Sequence, residues 1–333
     1  MKIIDLVGLL PLYCILLLCA VPPARAHIQG EAEALVSWKA SLASADEILG
    51  SWSLANSASL CRWPRITCDL EVGHITELDL LDVSLNGTLD ELDFSAFPHL
   101  KKLRLDNNGL HGTIPTGIGN LTSLVTLRIM DNPNLRGTIP HSIGQLTHLT
   151  ILYLDILGLD STIPQEIGNL TSLEELHMSS VKLTGSIPRT IGMLKKLRWL
   201  LLQGNNLNGS IPLEIQNMTQ LQTIVFSDNY LEGHLPSSIA HLMKLQFLDV
   251  SSNQLRGHIV PELGNSSLLD EVYIGNNIFS GTFPSSICVG GAMKRVGAYY
   301  NGFTSIHQQT FQNCTALQLV ELTANNIVAE LRD

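Results

Sequence analysis

Residues 101–124 read KKLRLDNNGLHGTIPTGIGNLTSL, and residues 198–221 repeat the pattern as RWLLLQGNNLNGSIPLEIQNMTQL. Similar units begin at Val125, Thr150, Glu174, Gln222, Gln246, Asp270 and Lys294. Nearly all units have 24 residues, and one has 25 because Pro133 is inserted. With a degenerate unit from Ile75 and an incomplete one at the end, about ten to eleven repeats cover residues 75–333. Repeats of this length predict a solenoid.

The repeat unit has the consensus L-x-x-L-x-L-x-x-N-x-L-x-G-x-I-P-x-x-I-G-x-L-x-x. Its L-x-L segment predicts a short strand with leucines pointing inward and alternate residues outward. One unit cannot bury its own leucines, whereas stacked units share them in a continuous core. Glycine permits the bend after the strand, and proline stiffens the next segment. The pattern therefore predicts an α/β repeat solenoid with a parallel sheet on its concave face.

An asparagine follows the strand in most units and is expected to satisfy backbone groups in the turn. Stacked copies of this residue would form a ladder along the solenoid. The positions are Asn108, Asn132, Asn205, Asn229, Asn253, Asn277, Asn301 and Asn325. Val83, Leu157 and Val181 replace it in three units, where we expect looser or more apolar turns.

Residues 1–26 have the order of a secretory signal peptide: Lys2, an apolar run over residues 6–21 and an A-x-A-like site ending at Ala26. The run is shorter than the roughly 20 residues of a membrane-spanning helix, and no later stretch is apolar enough to span a bilayer. The mature chain keeps 18 basic and 29 acidic residues, and its net charge of −11 disfavours nucleic acid and anionic membranes. We therefore expect an extracellular protein, secreted or at the cell surface.

The L-x-G-x-I-P element resembles the plant class of leucine-rich repeats, found in the ectodomains of receptor-like kinases and receptor-like proteins and in pectinase-inhibiting proteins. The N-terminal cap of those receptors is similar to ALVSWKASL at 34–42, LGSW at 49–52 and CRWPRITCD at 61–69. The resemblance covers essentially the whole mature chain. It implies a right-handed leucine-rich-repeat superhelix with a helical N-terminal cap over residues 27–74, and a signal-perceiving ectodomain whose kinase would lie in a separate cytosolic part.

The cap is also expected on physical grounds, because the exposed leucines of the first coil must be covered. Residues 31–44 have the pattern of an amphipathic helix with one apolar face. That face consists of Ala34, Leu35, Trp38 and Leu42. Cys61 and Cys68 are separated by six residues and would join the cap in a disulfide.

Four cysteines remain in the mature chain, and an even number in a secreted protein suggests two disulfides with three conceivable connectivities. Cys288 is at position 19 of its unit, and Cys314 is at position 21 of the next. Near-equivalent positions of neighbouring coils lie about 5 Å apart, which suits the Cα separation of a disulfide. We predict a Cys288–Cys314 disulfide, with two free buried thiols as the alternative. Receptors of the resembling family carry a similar pair of cysteine motifs.

Seven Asn-x-Ser/Thr sequons occur, and the signal peptide makes them credible sites of N-glycosylation. They are Asn86, Asn120, Asn169, Asn208, Asn217, Asn265 and Asn313. Most recur near the end of a unit. Because a glycosylated face is unfavourable for a partner, the concave face and one flank remain for binding.

No catalytic, cofactor or metal motif stands out: the sequence lacks a phosphate-binding glycine loop, kinase signatures, a G-x-S-x-G elbow and zinc-type spacing. We therefore predict no enzyme activity in this chain. His234 and His258 both occupy position 13 of adjacent units. They are more typical of a variable outer surface than of a metal pair.

A ligand is expected on the outward residues of the strands, since solenoids bind along their concave surface. Aromatic residues there form a broken apolar track, and we expect them to have no packing role inside the solenoid. Tyr and Trp are favoured interface anchors. We predict that an extended peptide contacts Tyr153, Asp155, His177, Trp199, Leu201, Phe247, Asp249, Tyr273 and Tyr299.

The favoured function is an ectodomain, or truncated receptor, that binds a secreted peptide or protein ligand, together with a co-receptor ectodomain, in plant cell-surface signalling or defence. The alternative is a free apoplastic inhibitor of a cell-wall-degrading enzyme such as a pectinase. Those inhibitors carry extra cysteines in both caps, which this chain lacks. Since the chain stops at Asp333, part-way through a repeat, we expect either that more chain normally follows or that this is a degenerate product.

Overall fold

The computed structural model describes residues 23–43, 46–266, 268–312 and 314–328. The predicted signal peptide therefore lies almost wholly outside the described residues, as does the sequon at Asn313. Among the described residues, no helix is both long and apolar enough to cross a membrane.

The N-terminal cap consists of helix α1 (Pro23–Ser41), helix α2 (Asp46–Leu49) and a 3-10 segment, Leu54–Arg62. Helix α1 begins earlier than the predicted residue 31, because proline suits the first helical position and the alanines after it favour helix. Its predicted inner face is buried, as expected. The exposed fractions are 8% for Ala34, 0% for Leu35, 0% for Trp38 and 9% for Leu42.

The cap covers the first coil directly, because the indole Nε1 of Trp38 donates to the Thr88 carbonyl at 2.8 Å. The predicted Cys61–Cys68 disulfide is present, with its Cα atoms 5.5 Å apart.

The concave face is a sheet that contains twelve strands in the described part of the chain. The first two strands pair antiparallel, and all the others pair parallel in sequence order. They are Ile66–Cys68, Ile75–Asp79, Lys102–Arg104, Thr126–Arg128, Ile151–Tyr153, Glu175–His177, Trp199–Leu201, Thr223–Val225, Phe247–Asp249, Glu271–Tyr273, Arg295–Gly297 and Leu319–Glu321.

A second layer of short strands follows the asparagine turn of each coil, and 3-10 segments form the outer face. The short strands are Asn86–Gly87, Gly109–Gly112, Asn134–Leu135, Thr184–Ser186, Asn206–Gly209, Tyr230–Gly233, Gln254–Gly257, Ile278–Phe283 and Gly302–Ile306. The 3-10 segments are Phe94–Ala96, Thr116–Asn120, His141–Gln145, Gln165–Asn169, Arg189–Met193, Leu213–Asn217 and Ser237–His241. Consensus leucines and isoleucines from all three layers fill one core that runs along the solenoid.

The asparagine ladder links each coil to the one before it. The Asn205 carbonyl oxygen accepts from the backbone N–H groups of Val181 and Leu183, at 3.0 Å each. Its amide nitrogen donates to three carbonyls, those of Met178, Leu202 and Gln203. Each such asparagine therefore satisfies backbone groups that would otherwise be buried without partners.

Three coils lack this asparagine, and their replacements are buried, as the prediction of apolar turns requires. Val83, Leu157 and Val181 are 2%, 3% and 0% exposed. Asn108 and Asn205 of the following coils still cap the turns at Val83 and Val181. The turn at Leu157 has no asparagine in its own coil or in the next, so the ladder is interrupted between Asn132 and Asn205.

The outer 3-10 segments stack so closely that the glycine at position 19 has no room for a side chain. A Cβ atom on Gly192 would lie 2.4 Å from the Glu214 carbonyl oxygen of the next coil. We expect Gly192→Ala to lower the free energy of unfolding by roughly 2 kcal/mol through overpacking. Guanidinium unfolding checks this. Gly117→Ala is the matched control, because its Cβ would come no closer than 3.4 Å to any neighbour; equal midpoints for the two variants would contradict the prediction.

The predicted Cys288–Cys314 disulfide is also present and joins two neighbouring coils near the C-terminal end. Its Cα atoms are 5.1 Å apart. Cys288 itself is 3% exposed and belongs to the core.

Candidate ligand-binding surface on the concave face

The parallel register arranges the outward residues into columns at the second, fourth and sixth positions of each unit. Tyr153 pairs with His177, and His177 pairs with Leu201, which places them in the column at position 4. Asp249 and Tyr273 continue that column. The predicted track is therefore not one line. Trp199 and Phe247 lie at position 2, and Asp155 and Tyr299 lie at position 6.

Tyr153, His177 and Trp199 form an aromatic stack that crosses three neighbouring coils. The rings of Tyr153 and His177 are nearly parallel, with centroids 3.9 Å apart. The centroid of Trp199 lies 6.3 Å from that of His177. Trp199 is 38% exposed and is the outer ring of the stack. The sequence identified these three residues, but it gave no sign that their rings stack.

Two charged residues that the predicted site omits flank this stack. The Arg128 guanidinium lies over the Tyr153 ring, 5.0 Å from its centroid. It also pairs with the buried Asp106 carboxylate at 2.9 Å, and Arg104 pairs with the same carboxylate oxygen at the same distance. On the other side, the Tyr153 hydroxyl donates to the Glu175 carboxylate. Burial, followed by this hydrogen bond and the nearby negative charge, raises the pKa of Tyr153 well above its ordinary value.

Asp155 and His177 lie together at the inner side of the stack. Asp155 is 7% exposed, and its Oδ1 accepts from the Ser179 N–H at 2.6 Å. Its Oδ2 lies 3.9 Å from His177 Nδ1. Burial raises the pKa of Asp155 above its ordinary value and lowers the pKa of His177 below its own. Both groups are therefore held in an environment that disfavours their charged forms.

Aromatic side chains in the C-terminal half lie flat on glycines of the neighbouring strands. An added Cβ on Gly297 would lie 2.8 Å from the Tyr273 ring, and one on Gly275 would lie 2.7 Å from the Tyr299 ring. Phe247 contacts Tyr273 with ring centroids 5.7 Å apart. We expected the aromatic residues of this face to have no packing role within the solenoid, and that expectation was wrong. Glycine provides the space that lets these rings lie against the sheet.

The described sequons lie outside the concave sheet that carries the predicted ligand track: three end 3-10 segments of the outer face, and Asn86 and Asn208 lie in the second strand layer. All six sequon asparagines in the described part of the chain are exposed: Asn86, Asn120, Asn169, Asn208, Asn217 and Asn265. A groove of about 640 Å³ on the outer face is lined by Arg189, Lys195, Lys196 and the sequon residue Asn217. A glycan on Asn217 would stand at the edge of that groove.

The histidine pair at position 13 packs against backbone. The imidazoles of His234 and His258 occupy the space beside Gly257 and Gly281, where an added Cβ would lie 2.3 and 2.1 Å from them. Among the described residues, no group of three or more metal-ligand side chains comes together.

Comparison with known families identifies the repeats and the cap. The family described as "Leucine-rich repeat region" matches residues 71–203, and "Leucine rich repeat N-terminal domain" matches residues 28–69. "Leucine Rich Repeat" matches three consecutive segments, 196–218, 220–242 and 244–266.

Curated relatives include two plant proteins from Arabidopsis thaliana. Receptor-like protein 48 is 38% identical over 66 residues, which make up 20% of this chain and 8% of that protein. The LRR receptor-like serine/threonine-protein kinase RGI3 is 32% identical over 97 residues, 29% of this chain and 9% of that protein. The matched segments therefore span less than a tenth of the length of these relatives.

Solved structures match over most of this chain. The crystal structure of PEPR1–AtPEP1 has a TM-score of 0.80 and 30% identity, over 90% of this chain and 45% of that one. The plant peptide hormone receptor RGFR1 in complex with RGF2 has a TM-score of 0.58 and 29% identity, over 80% and 57%. A plant ice-binding protein has a TM-score of 0.68 and 25% identity, over 90% and 87%. Taken together, the models for the repeats and the cap show that the chain belongs to the leucine-rich repeat family, and the relatives to which it is similar include plant receptor-like proteins and receptor kinases.

Proposed function

We propose that this protein is an extracellular recognition module that binds an extended peptide along its concave face, in plant cell-surface signalling or defence. The observation that carries the proposal is the row of aromatic side chains from Tyr153 to Tyr299, on a face free of sequons. Trp199 supplies exposed indole surface in the middle of that row. A similar solved structure is that of a plant peptide hormone receptor in complex with RGF2, which supports a peptide as the ligand.

We also propose that the chain acts by binding rather than by catalysis, with a co-receptor ectodomain as a second partner. No described residues form a metal cluster, and on the concave face Arg128 pairs with Asp106 and Asp155 accepts from the Ser179 N–H, which is not a nucleophile–base arrangement. The alternative of an inhibitor of a cell-wall-degrading enzyme stays a prediction.

The test is a selection followed by a titration. The secreted, glycosylated protein is used to select from a displayed library of random 12-residue peptides, and a selected peptide is titrated calorimetrically. We expect Trp199→Ala to weaken its affinity by roughly tenfold to a hundredfold, the range of a buried aromatic anchor.

Tyr230→Ala is the matched control for this titration. Tyr230 is an aromatic residue, 54% exposed, in the second strand layer away from the concave sheet. The control should leave the affinity unchanged. A selected peptide whose affinity is indifferent to both Trp199→Ala and Phe247→Ala would overturn the concave-face assignment.

A further inference from the structure

The middle of the concave face carries acidic side chains, and its outward positions hold no basic side chain to pair with them. In the five units from residue 150 to residue 269, no outward position at the second, fourth or sixth place holds Lys or Arg. The same positions hold Asp155, Glu175 and Asp249. Arg198 precedes its strand and faces Glu174 at 4.0 Å, so it does not neutralise them. A ligand that lies over these units meets an excess of negative charge.

Two hydrogen-bond acceptors on the same face have no partner within the described part of the chain. They are Nε2 of His177 and Oε1 of Gln203, both shielded from solvent. His177 Nδ1 faces the Asp155 carboxylate, which favours the tautomer with the proton on Nδ1 and leaves Nε2 as an acceptor. Unsatisfied buried polar atoms cost free energy, so a donor that reaches them is favoured.

The carboxylate of Asp155 belongs to the same cluster, one coil before His177 and two coils before Gln203. Burial raises its pKa, although the hydrogen bonds from Ser179 and the neighbouring His177 act in the opposite direction. A cation placed nearby would lower that pKa again, and by linkage the ionised carboxylate would stabilise the bound cation. Carboxylate, imidazole nitrogen and amide oxygen together form a set of acceptors that suits an ammonium or guanidinium group.

Trp199 covers this acceptor set and offers a second attraction for a cation. Its indole is 38% exposed, and its ring is tilted by 31° to that of His177, with the two centroids 6.3 Å apart. A cation over the face of a tryptophan is stabilised by its ring quadrupole.

Asp249 supplies a second acidic position four coils further along. Its Oδ1 accepts from the backbone and hydroxyl of Ser251, and no cation pairs with it among the described residues. Four coils at strand spacing span about 19 Å, roughly six residues of an extended peptide. Leu201 and Val225 belong to the position-4 column of Asp249 and lie in coils between those of Asp155 and Asp249.

We propose that the concave face selects a peptide with two basic side chains about six residues apart and an apolar segment between them. The first basic side chain contacts Asp155, His177, Gln203 and Trp199, and the second contacts Asp249. This inference rests on the proposed function and names the class of peptide that the same surface takes.

The first experiment uses a minimal probe and needs no selected peptide. N-acetyl-arginine amide is titrated into the full secreted protein, with N-acetyl-citrulline amide as its neutral isostere, and Trp199 fluorescence is followed. The other three tryptophans, Trp38, Trp52 and Trp63, are at most 4% exposed and lie in the cap. We expect the arginine probe to bind at least about tenfold more tightly than the citrulline probe.

Asp155→Asn should remove most of that preference while keeping an amide oxygen for the Ser179 N–H. Asp160→Asn, on an exposed residue outside the concave sheet, is the matched control and should leave the preference intact. Equal binding of the two probes, or a preference that survives Asp155→Asn, would overturn the proposal. Circular dichroism confirms that both variants are folded.

The second experiment tests the spacing with Ac-Arg-Ala-Leu-Ala-Leu-Ala-Arg-NH2 and with a version shortened by two residues. We expect the longer peptide to bind about tenfold more tightly, and Asp249→Asn to abolish the difference. No difference in affinity overturns the spacing. Selected peptides that bind the concave face without basic residues overturn this inference and leave the proposed function standing. A library that yields no concave-face binder overturns the proposed function itself, whatever the arginine probe does.

Discussion

Replacing Asn205 with alanine is expected to lower the free energy of unfolding by roughly 3 kcal/mol. The side chain is 6% exposed and makes five hydrogen bonds to the backbone. Alanine would leave two N–H groups and three carbonyls without these bonds. The measurement is the midpoint of guanidinium unfolding, read by far-ultraviolet circular dichroism.

Two further variants separate the effect of the Asn205 hydrogen bonds from that of an asparagine substitution in general, and the effect of the acceptor from that of the donor. Asn206→Ala changes the neighbouring exposed asparagine and should leave the midpoint unchanged. Asn205→Asp keeps an acceptor for Val181 and Leu183 but removes the donor for the three carbonyls, so it should also destabilise the protein. If Asn205→Ala unfolds at the same midpoint as Asn206→Ala, the ladder contributes nothing and this account of the turn is wrong.

The second large effect is expected from the C-terminal disulfide. Replacing Cys288 and Cys314 with serine removes a cross-link between residues 26 apart in sequence. By restricting the unfolded chain, a cross-link that closes a loop of this size stabilises the folded protein by about 3 kcal/mol. The serine at the buried position of Cys288 would in addition bury a polar hydroxyl. Limited proteolysis should then cut first in the coils after Asp270, where the lost cross-link held neighbouring units together.

The matching control is the double substitution of Cys61 and Cys68, whose separation is 7 residues. It should loosen the cap and leave the C-terminal coils as resistant to protease as in the parent protein. Cleavage sites that do not move toward the C-terminal coils in the Cys288/Cys314 variant would contradict the prediction.

The repeat architecture could be derived from the sequence because every coil obeys the same local rule. Equal unit lengths set the parallel register, so the Cys288–Cys314 disulfide follows from counting positions. In the cap, the Cys61–Cys68 disulfide follows from the short spacing of the two cysteines, and the buried face of helix α1 follows from its amphipathic pattern. The start of helix α1 could not be found this way. Proline and alanine at residues 23–26 are compatible both with a cleavage region and with a first helical turn.

The candidate site was only partly predictable. Alternation identifies which residues point outward, and Tyr153, His177 and Trp199 were found by that rule. Counting positions in each unit also places Trp199 one column away from the other two. It does not say how their rings contact one another, because side-chain rotamers decide that. Glu175 was missed because a carboxylate at an exposed strand position has no distinctive sequence signal, and its bond to Tyr153 depends on the register.

The interrupted asparagine ladder has a consequence for how the solenoid opens. Each coil of a solenoid is stabilised by its neighbours. Where the asparagine side-chain hydrogen bonds between coils are missing, we expect a boundary between two cooperative units, whose amide hydrogens exchange separately. That boundary falls between Asn132 and Asn205, around Leu157. The aromatic stack from Tyr153 to Trp199 spans the same boundary on the opposite side of the coils. A ligand bound to the concave face at this point would contact both units. Its binding would then protect the amide hydrogens of both units from exchange.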